Sequence, residues 1–252
     1  MKESSRNILG TILGASIITA SGIATAAAII GPRSRWDDDP LFTGIIPGYA
    51  TYSGSPYSVY RQIDEDMFEL IAQPVEIWFE HTWDYYKYEY DYLRQFGLTV
   101  RGCYVAIGHS RKAGVHSSGK KTGMRGYNNW GVKAGLSYRR QGNLFYIADT
   151  VEYLRKEGIR KEVIGAKWRF FSSMNEAIDS WLHTMRGMYP IAYAELFKKN
   201  PDPYRYHDGL ESGKGGAKYA TGSFNMGDLI DASMTQVPKQ LNEHFGYNLP
   251  VG

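Results

Sequence analysis

Between Asn7 and Pro32 the chain carries no charged side chain. No other feature narrows the choice of structures as much. The run ILGTILGASIITASGIATAAAII, Ile8 to Ile30, meets the roughly 20 apolar residues that a membrane-spanning helix needs. It is longer than the apolar core of a secretory signal, about 7–15 residues. It predicts one continuous hydrophobic helix, buried in a membrane or in an apolar channel of an assembly. Gly10 and Gly14 have the spacing of small residues at packed helices in lipid. A cleaved signal is the rival, because ATAAA resembles a small-residue cleavage site. Orientation stays open: Lys2 and Arg6 precede the run, Arg33 and Arg35 follow it.

The rest of the 252 residues suits one folded domain with ordinary apolar content. A net charge of +3 favours approach to an anionic wall or lipid surface and is too weak and dispersed for nucleic acid. Cys103 is alone, so no internal disulfide forms, and its setting in GCYVAIG reads as a buried thiol. No Cys/His set has zinc spacing; His109 and His116 make only a loose pair, so no metal and no cofactor are expected.

Three segments follow: an N-terminal hydrophobic helix over 1–35, a linker and aromatic-rich helical segment over 36–96, and a C-terminal domain over 97–252. Gly31 to Pro56 is rich in Pro, Gly, Ser and Asp and reads as a linker with Trp36 and Phe42 as anchors. Val59 to Ala72 has helical spacing, with Met67, Leu70 and Ile71 on one side, and stops at Pro74. Helix resumes over Val75 to Phe96, whose tyrosines and tryptophans suit packing on several sides better than an aromatic surface. An apolar run, Val100 to Ile107, leads into a polar, glycine-rich loop over Gly108 to Gly126. Asn143 to Tyr153 fits a strand or a short helix. Ser173 and Glu176 form a capping box, after which Met174, Ala177, Ile178, Trp181, Leu182 and Met185 share one face. Pro190 starts the next helix, which ends near Asn200. A last helix begins near Asn225, with Leu229, Ile230 and Met234 inward.

Five phrases, in order, carry a resemblance. RQFGLTVRGCYVAIGHS comes first, from Arg94. YNNWGVKAG, Tyr127 to Gly135, is similar to an Asn-Leu-Phe-Gly-Ile-Lys-Ala phrase. DTVEYLRKEG, Asp149 to Gly158, is similar to a Thr-Glu-Tyr hairpin. AKWRFFSSMNEAIDSWLHTM, Ala166 to Met185, is similar to a Lys-Phe-Arg-x-Tyr strand and its following helix. YATGS, Tyr219 to Ser223, is similar to Tyr-Ala-Thr-Asp-Pro. Together they resemble the bacterial glucosaminidases of glycoside hydrolase family 73, which include autolysins and the flagellar muramidase.

The resemblance implies an α+β, mostly helical, lysozyme-like domain with a small β-hairpin near Glu152. It implies peptidoglycan glycan strands as substrate or ligand and no cofactor. Leu210-Glu211-Ser212-Gly213 spells the phrase that carries the family's acid, but it follows the Gly-Val-Lys phrase where the family's acid precedes it, so Glu211 reads as a surface glutamate at a helix end. At the acid's own place stands His109, and a glycosidase acid is normally a buried carboxylic acid with a raised pKa. Glu152 matches the hairpin glutamate and Tyr219 the tyrosine that positions the N-acetyl sugar. Asn129, Trp130 and Tyr153 are implied to bind substrate or hold its loop; Asn129 is expected to fix the loop by bonding backbone, Trp130 to sit in the core or under a sugar, and Gly131 to permit a tight backbone. His109, Glu152 and Tyr219 are therefore expected to converge on one groove. Two functions follow: a membrane-anchored hydrolase of wall glycan, in a bacterial envelope or as a lysin of a membrane-containing virion, or a catalytically degenerate binding or structural protein on the same fold.

Overall fold

The computed structural model describes residues 50–54, 58–72, 75–118, 121–154, 159–219 and 226–251, with side chains at all of these except 50–54, 72, 75–76, 116–118, 121, 151–154 and 159–161. The apolar run of Ile8 to Ile30 and most of the linker lie outside the described residues. No helix among the described residues is long and apolar enough to cross a membrane. All described residues belong to one unit, Pro47–Gly252.

Val59 to Ala72 and Val75 to Phe79, expected to be helical, build strands instead, and so do Ala50 to Gly54 of the expected linker. β1 (Ala50–Gly54) pairs with β4 (Val75–Phe79), which pairs with β6 (Lys121–Arg125), which pairs with β5 (Val115–Ser118), all antiparallel. A second antiparallel sheet runs β3 (Phe68–Ala72), β2 (Val59–Gln62), β7 (Phe145–Leu154), β8 (Ile159–Arg169). The helical spacing of Val59 to Ala72 misled because a turn falls in its middle. Asp64, Glu65 and Asp66 make that turn, closed by Ile63 N donating to Met67 O at 3.0 Å. Phe68, at the start of β3, packs onto Phe145 (ring centroids 5.3 Å apart), whereas Met67 and Leu70, expected on a packed helix face, are 58% and 55% exposed. The expected helix of Val75 to Phe96 begins instead as a strand over its first five residues, β4, where alternation buries Ile77 and Phe79. Gly123, opposite Trp78, is fixed by packing: a Cβ there would lie 2.7 Å from the indole.

The helices follow their caps. α1 (Thr82–Gln95) buries Tyr85, Tyr86, Glu89, Tyr90, Tyr92 and Leu93, so its tyrosines are mostly core. α2 (Val100–Ala113) starts at Thr99, whose hydroxyl accepts from Gly102 N at 3.0 Å, and buries every residue from Gly102 to Ser110. A helix apolar on all sides belongs at the centre. Gly102 and Gly108 let it approach closely: a Cβ at either would strike Leu196 O or Ser233. The run therefore continues as helix six residues beyond Ile107, into what reads as loop, and the remainder of that loop is the β5–β6 hairpin. Cys103 is buried within it, and burial pushes its thiol pKa up.

After α3 (Leu136–Arg140) and the β7–β8 hairpin comes α4 (Met174–Met188). Ser173 Oγ accepts from Glu176 N at 3.2 Å, while Glu176 accepts from the amide and hydroxyl of Ser172. Its six expected core residues are all buried. α5 (Pro190–Glu195) and α6 (Pro203–Glu211) each begin with proline. α7 (Met226–Phe245) packs along α2 through Ile230 and Ser233; Leu229, expected inward, is 42% exposed. The class is α+β with helices dominant in the C-terminal half, and the β part is larger than one hairpin.

Candidate functional site

The C-terminal end of α2 meets the β7–β8 hairpin at a groove of about 210 Å³. Ala113, Gly114 and Val115 form one wall, Gly131 the floor, and Arg125, Tyr146, Asp149, Thr150 and Trp168 the rest. Two aromatic rings beside a carboxylate and a guanidinium suit a sugar, which offers C–H faces and hydroxyls together. The hairpin aims Asp149 by a bulge. Ala148 faces Ala166 and Thr150 faces Val163, so Ile164 and Gly165 oppose Asp149 alone. Gly165 takes φ +68°, and its N–H donates to Asp149 Oδ1 at 2.8 Å. Trp168 is held by its indole N–H donating to Ala148 O at 3.1 Å, and the Lys133 ammonium lies 5.9 Å from its ring centroid.

The floor is a tight loop, 126–132. Gly126, Tyr127 and Gly131 take positive φ. Asn128 fastens it from both sides: its Nδ2 donates to Val132 O at 2.9 Å and its Oδ1 accepts from Val132 N at 2.7 Å. Asn128, not Asn129, is the amide that ties this loop to its own backbone. The loop lies hard against α2. A Cβ on Gly114 would fall 2.1 Å from Asn128 O, and one on Gly131 would fall 2.7 Å from Ala113 O.

Beneath the loop sits a group that the sequence reading passed over. Glu89, wholly buried in α1, accepts from Asn129 Nδ2 and from Ser110 Oγ, both at 2.8 Å, and from the Tyr85 hydroxyl, which also lies 2.6 Å from Ser110 Oγ. Burial pushes its pKa up to about 8, against the pull of the three donors. A raised pKa is what a glycosidase acid needs, yet Glu89 is not among the groove's lining residues. The available signal was a glutamate four residues after a buried tyrosine, on the buried face of a tyrosine-dense helix.

The expected site residues divide. His109 and Tyr219 come together, ring centroids 4.7 Å apart and nearly perpendicular. His109 is wholly buried, between Trp181 and Tyr206 as well, with Nδ1 2.6 Å from the Tyr206 hydroxyl. Burial, with nearby His207 adding to it, lowers its pKa to about 3, so the ring is neutral at working pH. A neutral, enclosed imidazole has no acidic proton to offer a sugar; here it packs. Tyr219 donates its buried hydroxyl to Trp130 O at 3.0 Å. Trp130 is 1% exposed, stacked on Trp181 at 4.4 Å, its indole N–H donating to Ala106 O. Glu152 and Tyr153 lie in β7 opposite Lys161 and Arg160; their side chains are outside the described set. Glu211 closes α6, half buried, 3.6 Å from His207 Nε2. Among the described residues no three His, Cys, Asp or Glu cluster to hold a metal ion.

No family model and no curated protein matches the chain. Two solved structures are similar to it. One is a peptidoglycan hydrolase mutant from Sphingomonas sp. A1, at 19% identity and a TM-score of 0.44, covering 65% of this chain and 96% of that one. The other is a C-terminally truncated glycoside hydrolase domain from Salmonella typhimurium FlgJ, at 20% identity and a TM-score of 0.32, covering 62% of this chain and 98% of that one.

Proposed function

We propose that the chain is a peptidoglycan hydrolase-like protein of glucosaminidase type, which holds a glycan strand in the groove at the end of α2 and cleaves it slowly or not at all. One observation carries the reading: Gly131, Asp149, Thr150 and Trp168 line a single groove, and they come from three separate phrases that resemble the family. The β7–β8 hairpin brings Asp149, Thr150 and Trp168 together, and the loop carrying Gly131 closes the groove against them, which supports the reading.

The emphasis on binding has its own support. Glycoside cleavage uses two carboxyl groups on opposite sides of the bond, about 5–10 Å apart. Asp149 is the carboxylate among the groove's described lining. The last turn of α2 offers Ser110, Arg111, Lys112 and Ala113, none of them an acid. Glu152, three residues along β7, is the proposed second carboxylate, and strand alternation assigns positions 150 and 152 to one face. His109 and Tyr219 are proposed to support the loop behind the groove. The run of Ile8 to Ile30 is proposed to anchor the protein in an envelope membrane or in a membrane-containing particle.

The test uses the full chain against purified peptidoglycan, by sedimentation for binding and by zymography for cleavage. Binding with faint or no clearing is expected. Asp149→Asn and Trp168→Ala should each weaken binding by roughly 10-fold, the worth of one good contact. Absence of binding, or robust clearing indifferent to both Asp149→Asn and Glu152→Gln, overturns the reading.

A further inference from the structure

We infer that Glu89 is a positioning residue for the groove: its protonation state sets how loop 126–131 is seated, acting through the Asn129 side chain. This rests on the proposed function only for what the groove binds; the coupling itself does not depend on it.

The geometry makes Glu89 the point where three elements join. Tyr85 and Glu89 belong to α1, Ser110 to α2 and Asn129 to the groove loop. Asn129 precedes Trp130, whose carbonyl takes the Tyr219 hydroxyl, and Gly131, which floors the groove. Gly114, on the facing wall, touches the backbone of Asn128 and Asn129 with no room for a Cβ. A shift of Asn129 by a few tenths of an ångström must therefore move either the floor or the wall.

Glu89 has reason to produce such a shift. As a neutral acid it has its own proton to place and accepts weakly. Ionised, it accepts only, and charge-assisted bonds are shorter and about twice as strong. An ion in this dry setting also draws water or compensating dipoles toward itself. Its ionisable neighbours are few. α1 contributes Tyr85 and Tyr86, both held neutral by burial. α2 contributes Cys103, likewise neutral, and Arg111, whose guanidinium lies 5.4 Å from the Tyr86 ring centroid. The loop contributes the uncharged Asn129. Among the described residues no base bonds the carboxyl, so its proton is governed by bulk pH. The change falls near pH 8, where burial has moved this group.

The experiment is a titration of the full chain, in detergent micelles, from about pH 6 to about pH 9.5, across the window of the shifted group. Amide shifts of Gly114, Asn129 and Gly131 are followed beside the carboxyl carbon of Glu89. All four should move with one midpoint. Glu89→Gln, which keeps the shape and removes the titration, should leave the amides still. Asn129→Leu, which keeps the acid and cuts the link, should leave the carboxyl titrating while Gly114 and Gly131 stay still; it decides the matter if the glutamine variant does not fold. Still amides beside a titrating wild-type carboxyl, or amide shifts that persist in either variant, overturn the inference. Peptidoglycan sedimentation over the same range separates it from the functional reading. Affinity that falls roughly 5-fold or more on ionisation, a typical coupling between sites, supports both. A shared midpoint in a chain that binds no glycan keeps the coupling and defeats the proposed function.

Discussion

Two buried groups of opposite character shape the stability of this protein. Glu89 holds its proton to about pH 8, whereas an unfolded glutamate releases it near 4.5. The folded state then binds more protons, so its stability falls as pH rises from about 4.5 to about 8, by up to about 1.4 kcal/mol per unit. His109 stays neutral to about pH 3, whereas an unfolded histidine protonates near 6.5. There the unfolded state binds more protons, and stability falls as pH drops from about 6.5 toward 3. Between 4.5 and 6.5 the two slopes cancel. Denaturant melts across pH should therefore give a flat-topped curve, with the alkaline limb lost in Glu89→Gln and the acid limb lost in His109→Phe. The second variant should also be weaker throughout, by about 1–3 kcal/mol, because the Tyr206 hydroxyl loses its partner. At the groove, Gly131→Ala places a methyl at positive φ and 2.7 Å from Ala113 O. A loss of about 1–3 kcal/mol in the same melts is expected, with weaker glycan binding as the floor lifts.

Elements differ in how openly the sequence announces them. α4 was legible to its first residue, because a cap and a one-sided stripe are local signals. Ser173→Ala should cost about 1 kcal/mol, read from the denaturation midpoint. β2 and β3 were not legible, because their apolar spacing of three and four matched a helix and only their pairing partners decide otherwise. Phe68 is inward through contact with Phe145 of β7, which no window around Phe68 contains. α2 was half legible: its apolar run was plain, but the buried polar residues that continue it, His109 and Ser110, read as loop until α1 and α6 supply Glu89 and Tyr206 as partners. The candidate site follows the same rule. The hairpin and the Gly131 turn were visible as phrases. Asp149 was overlooked because its place in the groove lining comes from a bulge, and a bulge is a property of two strands.

For the whole molecule, the mixed sheets decide what can be removed. Residues 50–79 supply half the strands of each described sheet. A chain lacking them should expose the edges of β6 and β7 together with Tyr85 and Phe145, now covered by Phe79, Tyr60 and Phe68. Such a chain should aggregate in size-exclusion chromatography and lose its cooperative melt, while a chain starting at Pro47 should keep both. The same pairing has a consequence during synthesis. Tyr60 of β2 meets Phe145 of β7 some 85 residues later. At about 5–20 residues per second, that strand leaves the ribosome roughly 4–17 seconds before its partner exists. Through that interval the β2 edge is unpaired and Tyr60 and Phe68 lack the Phe145 ring that later covers them, so the nascent chain passes through an aggregation-prone stage that the finished protein no longer displays, and its yield in a cell will depend on what covers the β2–β3 hairpin while it waits.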